Sequence, residues 1–149
     1  MMPNTFTSLR YHIIFATKNR TPFLEPPLRE RMHAYLGGCT RTIGGIPLEI
    51  GGVSDHVHLL LGLKPTHCVA DVLCTIKKAS SEWVRQEMGV GAFHWQDGYS
   101  AFTVGRKGIE TLRRYIANQV EHHQTKTFEE EYRELLRANG IEFDERYLL

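Results

Sequence analysis

The chain has 149 residues, of which 42% are hydrophobic, and its formal net charge at pH 7 is +1. This length predicts one domain, residues 1–149, with a single hydrophobic core. No apolar run approaches the roughly 18 residues that a membrane-spanning helix needs, and no basic leader is seen, so we expect a cytoplasmic protein without a membrane partner. Cys39, Cys68 and Cys74 lack CxxC spacing, which argues against a disulfide framework and predicts buried small side chains.

The charge is distributed unevenly along the chain. Residues 1–127 carry 15 basic and 10 acidic side chains, whereas residues 128–149 carry three basic and seven acidic ones. A basic body with an acidic end is consistent with a phosphate-binding surface that is kept apart from one polar segment. We expect residues 127–149 to form an acidic C-terminal helix and tail within the single domain.

Hydrophobic periodicity and turn residues predict the element order β-α-β-β-α-β followed by C-terminal helices. The predicted strands cover residues 8–17, 46–50, 53–63 and 101–104. The predicted helices cover residues 28–43, 69–88 and 109–120, and a last helix runs from a capping box at residues 127–130 to Gly140. This order is that of the ferredoxin-like split β-α-β sandwich, an α+β fold in which helices cover one face of an antiparallel sheet.

Two histidines, His56 and His58, lie in the apolar stretch of residues 53–61, on the second strand of a hairpin that we expect to turn at Gly51-Gly52. Side chains two residues apart on a strand point to the same face. Neutral imidazole is the commonest protein ligand for divalent metals, so two imidazoles about 7 Å apart supply half of a metal site. The pair alone is equally well explained by two hydrogen-bonded histidines.

A second motif follows about sixty residues later, in a segment whose apolar residues recur at helical spacing. Tyr115 and Gln119 are four residues apart, so they lie on one side of the predicted helix at the edge of its apolar stripe. From that edge a phenol and a carboxamide can reach a neighbouring strand. A tyrosine and a glutamine at the margin of a core are also common without a catalytic role.

Together, these motifs resemble the single-tyrosine HUH transposases of the insertion-sequence-200-like family, which includes the REP-associated tyrosine transposases. The residues that carry the resemblance are 11–18, 55–60, 76–81, 93–99 and 115–119. It implies a ferredoxin-like fold and a DNA transposase that cleaves and rejoins single-stranded DNA, with hairpin ends of a mobile or repeat element as its target. It also implies a divalent ion, Mg²⁺ or Mn²⁺, held by His56, His58 and Gln119.

The resemblance further implies a 5′-phosphotyrosine at Tyr115 and a homodimer in which the active sites are assembled in cis or are shared between subunits. The chemistry of the residue is consistent with this role. A phenol has a pKa of about 10, far below that of an alcohol, so a nearby cation makes the phenolate accessible. A phosphotyrosine bond also conserves the energy of the cleaved phosphodiester for rejoining. Tyr115 is therefore the candidate nucleophile.

Several further side chains are candidates for contact with DNA or with the site. Basic residues outside the tail can bind phosphates with salt-dependent affinity. They are Lys18, Arg20, Lys77, Lys78, Arg85, Arg106 and Lys107. The aromatic residues Phe93, Trp95 and Tyr99 can stack on bases, although such a cluster before a strand is more often core. Asp55 is a candidate to orient a ligand although strand alternation turns it away from its neighbour, and His122 and His123 fit a solvated role as well as a catalytic one.

The main alternative is a non-catalytic module that binds single-stranded nucleic acid on the same fold. Such a module has no need for both a histidine pair and a tyrosine–glutamine pair, which favours the enzyme. A hydrolase with alternating histidines would need a third histidine on the same strand face, where Ser54 and Leu60 stand. A structural zinc site that uses His67, Cys68 or Cys74 is disfavoured, because His67 and Cys68 are adjacent and cannot both face one ion from a helix.

Overall fold

The structure, a computed structural model, describes residues 4–148. Its strands are β1 (Leu9–Ala16), β2 (Ile46–Gly52), β3 (His56–Leu63) and β4 (Ser100–Thr103). Its helices are α1 (Leu28–Thr42), α2 (Val69–Gln86), α3 (Ile109–Ala117), α4 (Gln119–His122) and α5 (Phe128–Ala138). Short 3-10 segments cover Lys18–Arg20, Arg106–Gly108 and Glu145–Tyr147. The predicted element order is confirmed.

The strands form one antiparallel sheet in the order β2-β3-β1-β4. β3 pairs with β1 along its whole length, from His56 opposite Ala16 to Leu63 opposite Leu9. This is the predicted ferredoxin-like α+β sandwich, and β1 and β3 are its central strands. The histidine pair therefore lies in the middle of the sheet, where neighbouring strands hold its backbone on both sides.

One face of the sheet packs against α1 and α2. Odd-numbered residues of the central strands, including Ile13, Phe15 and Leu59, are buried there against Leu36 of α1 and Leu73 of α2. Leu60, on the opposite face, is buried as well, and burial on both faces explains the apolar run at residues 59–61. The face toward α1 and α2 is a conventional apolar core.

The opposite face carries the even-numbered residues and is covered by the C-terminal helices. Phe128 and Tyr132 of α5 pack against Ile14 and Ala16 of β1 in a second, smaller hydrophobic cluster. The capping box predicted for α5 is present at its start, where the Thr127 hydroxyl accepts a hydrogen bond from the Glu130 backbone N–H at 3.2 Å. Within residues 4–148, none of the helices combines the length and the hydropathy needed to cross a bilayer.

Two predicted boundaries are wrong. The hairpin turn lies at residues 53–55 because β2 continues through Gly51 and Gly52, which pair with β3. The helix predicted over 109–120 is interrupted at Asn118, whose φ of −100° and ψ of 22° are not helical. Val120, expected on the inward stripe of a continuous helix, is 52% exposed because it follows this break.

The prediction of three buried cysteines is also wrong. Cys39 is half-buried, whereas Cys68 and Cys74 are exposed. Cys68 directly precedes α2, and Cys74 lies beside the buried Leu73 on the solvent side of that helix. Their positions, just before α2 and on its solvent side, determine their exposure.

Candidate active site

His56 and His58 are both fully buried and lie on the same face of β3, as predicted. Their ring centroids are 5.2 Å apart. Burial of a polar ring is costly unless its nitrogens have partners. His56 has Asp55 at one nitrogen and Gln119 at the other, and His58 has His12 and Glu131.

The approach of α3 to the sheet depends on a glycine in β2. A Cβ at Gly51 would lie 2.2 Å from the carbonyl oxygen of Ile116, which is closer than any side chain tolerates. Because glycine has no Cβ, the helix backbone lies directly on the strand. Ile116 is fully buried, so its neighbour Tyr115 is held against the histidine face of the sheet.

Tyr115 is half-buried and lies beside the histidines of the same chain. Its ring centroid is 5.7 Å from that of His58 and 6.4 Å from that of His12. Its hydroxyl donates a hydrogen bond to Oε2 of Glu131. Burial, and then the hydrogen bond and charge of Glu131, raise the pKa of Tyr115 above its usual range. The phenol therefore keeps its proton in this arrangement, and that proton points at a carboxylate.

Gln119, the first residue of α4, is 1% exposed and faces the same group. Its Oε1 lies 3.3 Å from Nε2 of His56 and 3.0 Å from Nε2 of His123, and its amide donates to Oε2 of Glu131 at 3.1 Å. The structure thus brings together the four residues singled out from the sequence. All four belong to one chain.

The centre of the site is a residue that the sequence did not indicate. Glu131 of α5 is 1% exposed, and its Oε1 lies 3.0 Å from Nε2 of His58, 3.5 Å from Nε2 of His56 and 3.2 Å from Nε2 of His123. Burial alone would raise the pKa of this carboxyl group, but hydrogen bonds from the three imidazoles lower it well below its usual range. The group is therefore an ionised carboxylate.

The position of Glu131 corrects the expectation that the acidic C-terminal segment stays apart from the functional surface. Glu131 lies three residues after Phe128 and directly before Tyr132, on the buried face of α5. An acidic residue within the apolar face of an amphipathic helix is unusual unless it is paired. That position was the available sequence signal.

Two contacts at the outer nitrogens fix the orientation of the imidazoles of His56 and His58. Nδ1 of His56 lies 2.8 Å from Oδ1 of Asp55, and Nδ1 of His58 lies 2.8 Å from Nε2 of His12. Strand alternation suggested that Asp55 faces away from His56, but Asp55 belongs to the turn before β3 and its carboxylate bends back. Such outer partners set the tautomer and direction of a ligand ring, so they turn Nε2 of each histidine inward.

The donor set is suited to a divalent cation. His56, His58, His123 and Glu131 each offer a ligand atom, and these atoms all lie within 4.8 Å of one another. Ligand atoms at 2.0–2.2 Å from an ion are separated by at most about 4.4 Å, so only small shifts are needed. Burial lowers the pKa of His58 to about 4, which keeps this ring in the neutral form that binds metals. The residues present fit the ion that the resemblance implies.

His122 has a different position from His123. Its ring packs against that of Tyr115 with centroids 5.1 Å apart. Its Nε2 is buried and lies 3.1 Å from Oε2 of Glu131 without the alignment of a hydrogen bond. His122 is therefore a neighbour of Tyr115 and of the Glu131 carboxylate.

Three of the basic side chains proposed for DNA contact have partners within the chain. Arg20 pairs with Glu129, Lys77 donates to the carbonyl oxygens of Gln96 and Gly98 at 2.6 and 2.7 Å, and Arg85 donates to that of Phe93 at 3.0 Å. The exposed candidates are Lys18, Lys78, Arg106 and Lys107. The structure thus gives Lys77 and Arg85 a part in holding the segment before β4.

The aromatic residues of that segment divide in the same way. Phe93 is fully buried and Trp95 is 6% exposed, and both belong to the core beneath α1 and α2. The indole N–H of Trp95 donates to the Ser80 hydroxyl at 2.8 Å. Only Tyr99 of the three stacking candidates reaches the surface, with 37% exposure.

A ferredoxin-like sheet with a central histidine pair next to a helix tyrosine defines a class of enzymes that act on DNA. The family described as "Transposase IS200 like" matches residues 5–119, and the chain belongs to this family. The transposases for insertion sequence element IS200 of Salmonella typhimurium strain LT2 and of Salmonella typhi are each 28% identical to it, over 80% of this chain and 82% of theirs. The protein is therefore a DNA-binding transposase, and the family expected from the sequence is confirmed.

Solved structures give the same result. A putative transposase from Deinococcus radiodurans R1 aligns with a TM-score of 0.63 and 26% identity, covering 80% of this chain and 96% of that one. A REP-associated tyrosine transposase bound to a REP hairpin aligns with a TM-score of 0.59 over 82% of this chain and 74% of that one. Its identity of 16% supports the likeness of fold alone.

Proposed function

We propose that this transposase cleaves single-stranded DNA with Tyr115 as the nucleophile. The observation that carries the proposal is the position of the Tyr115 hydroxyl, which hydrogen-bonds to Glu131 within the polar group built on His56, His58 and Gln119. A phenol next to a buried set of cation ligands is the arrangement that in-line attack on a phosphodiester needs.

In this reaction the phenolic oxygen of Tyr115 bonds to the phosphorus, and the bond from phosphorus to the 3′ oxygen breaks. The phenolic proton passes to Glu131 and from there to water, and the leaving 3′ oxygen takes up a proton from water. The products are a 5′-phosphotyrosine and a 3′ hydroxyl. In the rejoining step, a 3′ hydroxyl attacks the same phosphorus and the phenol is released. Glu131 holds the proton at the phenol before attack and thereby directs the oxygen toward the interior of the site.

We further propose that a divalent ion, Mg²⁺ or Mn²⁺, is held by His56, His58 and Gln119. When bound, the ion supplies positive charge that lowers the pKa of the phenol and polarises the phosphate. The chain's own contribution is to orient the ligand atoms and to exclude water. Asp55 and His12 orient the two ligand rings through their Nδ1 atoms. The helix α5 covers the site and excludes water.

The proposed substrate is a hairpin end of a mobile or repeat element. The hairpin bound by the REP-associated transposase of similar fold supports this choice. The exposed basic side chains that can contact DNA phosphates are Lys18, Lys78, Arg106 and Lys107. Because Tyr115 and the histidine pair come from one chain, a single subunit contains every proposed group, and a homodimer that exchanges α3 between subunits stays a prediction.

The experiment is to incubate the protein with single-stranded hairpin DNA and Mn²⁺ or Mg²⁺ and to resolve the products on a denaturing gel. We expect a covalent protein–DNA adduct in the wild type and none in Tyr115→Phe. The matched control is Tyr147→Phe, at a tyrosine that is 78% exposed and takes no part in the hydrogen bonds described for the site.

The other outcomes are equally informative. An adduct that persists in Tyr115→Phe would overturn the assignment of the nucleophile. Hairpin binding by the wild type without any adduct or strand cleavage would instead support the non-catalytic binding module.

A further inference from the structure

We infer that Glu131 and His123 are ligands of the divalent cation, so that this chain holds its ion with three imidazoles and a carboxylate beside the amide oxygen of Gln119. The inference rests on the proposed function and concerns the same site. Both residues follow the segment that the transposase family matches, which ends at residue 119. They therefore belong to the C-terminal part of the chain, beyond the matched segment.

Nitrogen atoms of three histidines converge on one oxygen of Glu131. Oε1 of Glu131 lies within 3.5 Å of the Nε2 atoms of His56, His58 and His123. The contacts of His58 and His123 are two hydrogen bonds, which is the number that one carboxylate oxygen accepts well. The Nε2 atom of His56, at 3.5 Å, is a third nitrogen directed at the same oxygen, beyond what that oxygen needs. A cation between these atoms would use all of their lone pairs at once.

The negative charge of the buried Glu131 carboxylate also points to a cation. Glu131 is 1% exposed, and its ionic contacts are all with histidines. A buried carboxylate is costly unless a positive charge compensates it. Among the residues that the structure describes, no lysine or arginine contacts this carboxylate. Hydrogen bonds from the imidazoles compensate it in part, and a bound divalent cation would add full positive charge.

The orientation of the His123 ring is that of a metal ligand. Its Nδ1 lies 2.8 Å from the carbonyl oxygen of Lys126, which turns Nε2 toward Glu131 and Gln119. This is the same device that Asp55 provides for His56. A carbonyl or carboxylate at the second nitrogen is the usual support of a metal-bound histidine.

The enlarged donor set changes the preferred metal. Mg²⁺ favours oxygen ligands and retains several waters, whereas three imidazole nitrogens suit first-row transition metals. With His123 and Glu131 as ligands, the site should bind Mn²⁺ more tightly than Mg²⁺. A site made of two histidines and one amide would discriminate less.

The test is direct Mn²⁺ binding to the full-length protein without DNA, measured by titration calorimetry and by the electron paramagnetic resonance signal of free Mn²⁺. We expect Glu131→Gln and His123→Ala each to weaken Mn²⁺ binding on the order of 10- to 100-fold. The control is Glu142→Gln, which removes the same charge at an exposed position of the acidic end. It should bind Mn²⁺ as the wild type does.

Nitrogen hyperfine couplings give a second readout that does not depend on activity. The bound Mn²⁺ should couple to three imidazole nitrogens in the wild type and to two in His123→Ala. If Glu131→Gln does not fold, His123→Ala still decides the question because its side chain is at the edge of the site, 11% exposed.

Failure of the inference and failure of the proposed function give different results. Wild-type Mn²⁺ affinity in both Glu131→Gln and His123→Ala, with loss of binding in His58→Ala, would overturn the inference and leave the nuclease intact. Tyr115→Phe should bind Mn²⁺ normally. Weakened binding in the two variants together with an absence of any Tyr115 adduct would support the inference and overturn the proposed nuclease.

Discussion

The two faces of the sheet are built from the same strands and differ in what their side chains require. On one face, Phe15 and Leu59 pack against helices with contacts that any side chain of similar shape could make. On the other, His56 and His58 need partners at both ring nitrogens, and those partners come from a turn, a neighbouring strand and C-terminal helices. Alternation along a strand thus separates the apolar core from the reactive group by a single residue. Substitutions on the two faces should therefore have separable effects on stability and on chemistry.

The largest expected effect is on the apolar face. Leu59→Ala, next to His58 in sequence but on the opposite side of β3, removes a fully buried side chain. We expect the free energy of unfolding to fall by about 2–5 kcal/mol, measured by urea denaturation. DNA cleavage per folded molecule should change little. A large loss of cleavage at temperatures where the variant is fully folded would show that the two faces are coupled.

A substitution on the polar face should mainly affect the chemistry. In His56→Ala, the single-turnover cleavage rate should fall by about 10²–10³-fold, the effect of removing one group that stabilises developing charge. The folded fraction, followed by circular dichroism, is the control. A rate within a few-fold of wild type would place the reactive group elsewhere.

Gly51→Ala should affect both properties, because it disturbs the contact that joins the sheet to α3. The added Cβ meets the Ile116 carbonyl oxygen, so α3 must move. We expect the free energy of unfolding to fall by about 1–3 kcal/mol. The displacement carries Tyr115 with it and should reduce adduct formation. The matched control is Gly38→Ala on α1, where no atom lies within 4 Å of the new Cβ. It should be neutral or slightly stabilising and leave cleavage unchanged.

The smallest of these effects is expected for a partner that only orients a ligand. Asp55→Asn keeps the shape of the side chain but removes the charge beside Nδ1 of His56. We expect Mn²⁺ affinity to decrease about 10-fold, measured by calorimetry. Asp71→Asn, at an exposed position on α2, is the control. An unchanged affinity in Asp55→Asn would mean that the backbone of β3 alone sets the direction of the ring.

Short-range patterns in the sequence predicted the elements and the residues that depend on them. Spacing of two on a strand and of four on a helix identified His56, His58, Tyr115 and Gln119, and the element order predicted the sandwich. The prediction of a turn at the glycines was wrong because a tertiary contact determines the conformation there. Gly51 reads as a turn residue, but it continues β2 because a helix backbone packs against it.

Long-range placement could not be predicted in the same way. Glu131 and His123 belong to a helix and a loop whose packing over β3 is set by the hydrophobic cluster around Phe128 and Tyr132. His12 reaches His58 only through the register of β1 with β3. No local spacing encodes these contacts, since each depends on how separate elements dock.

The interruption at Asn118 has a mechanical consequence for the reaction cycle. The Tyr115 phenol belongs to α3, and the amide of Gln119 belongs to α4. Under the proposed mechanism, a change of backbone conformation at Asn118 would let Tyr115 move with its attached DNA while Gln119 stays at the ion. A continuous helix would require the two side chains to move together.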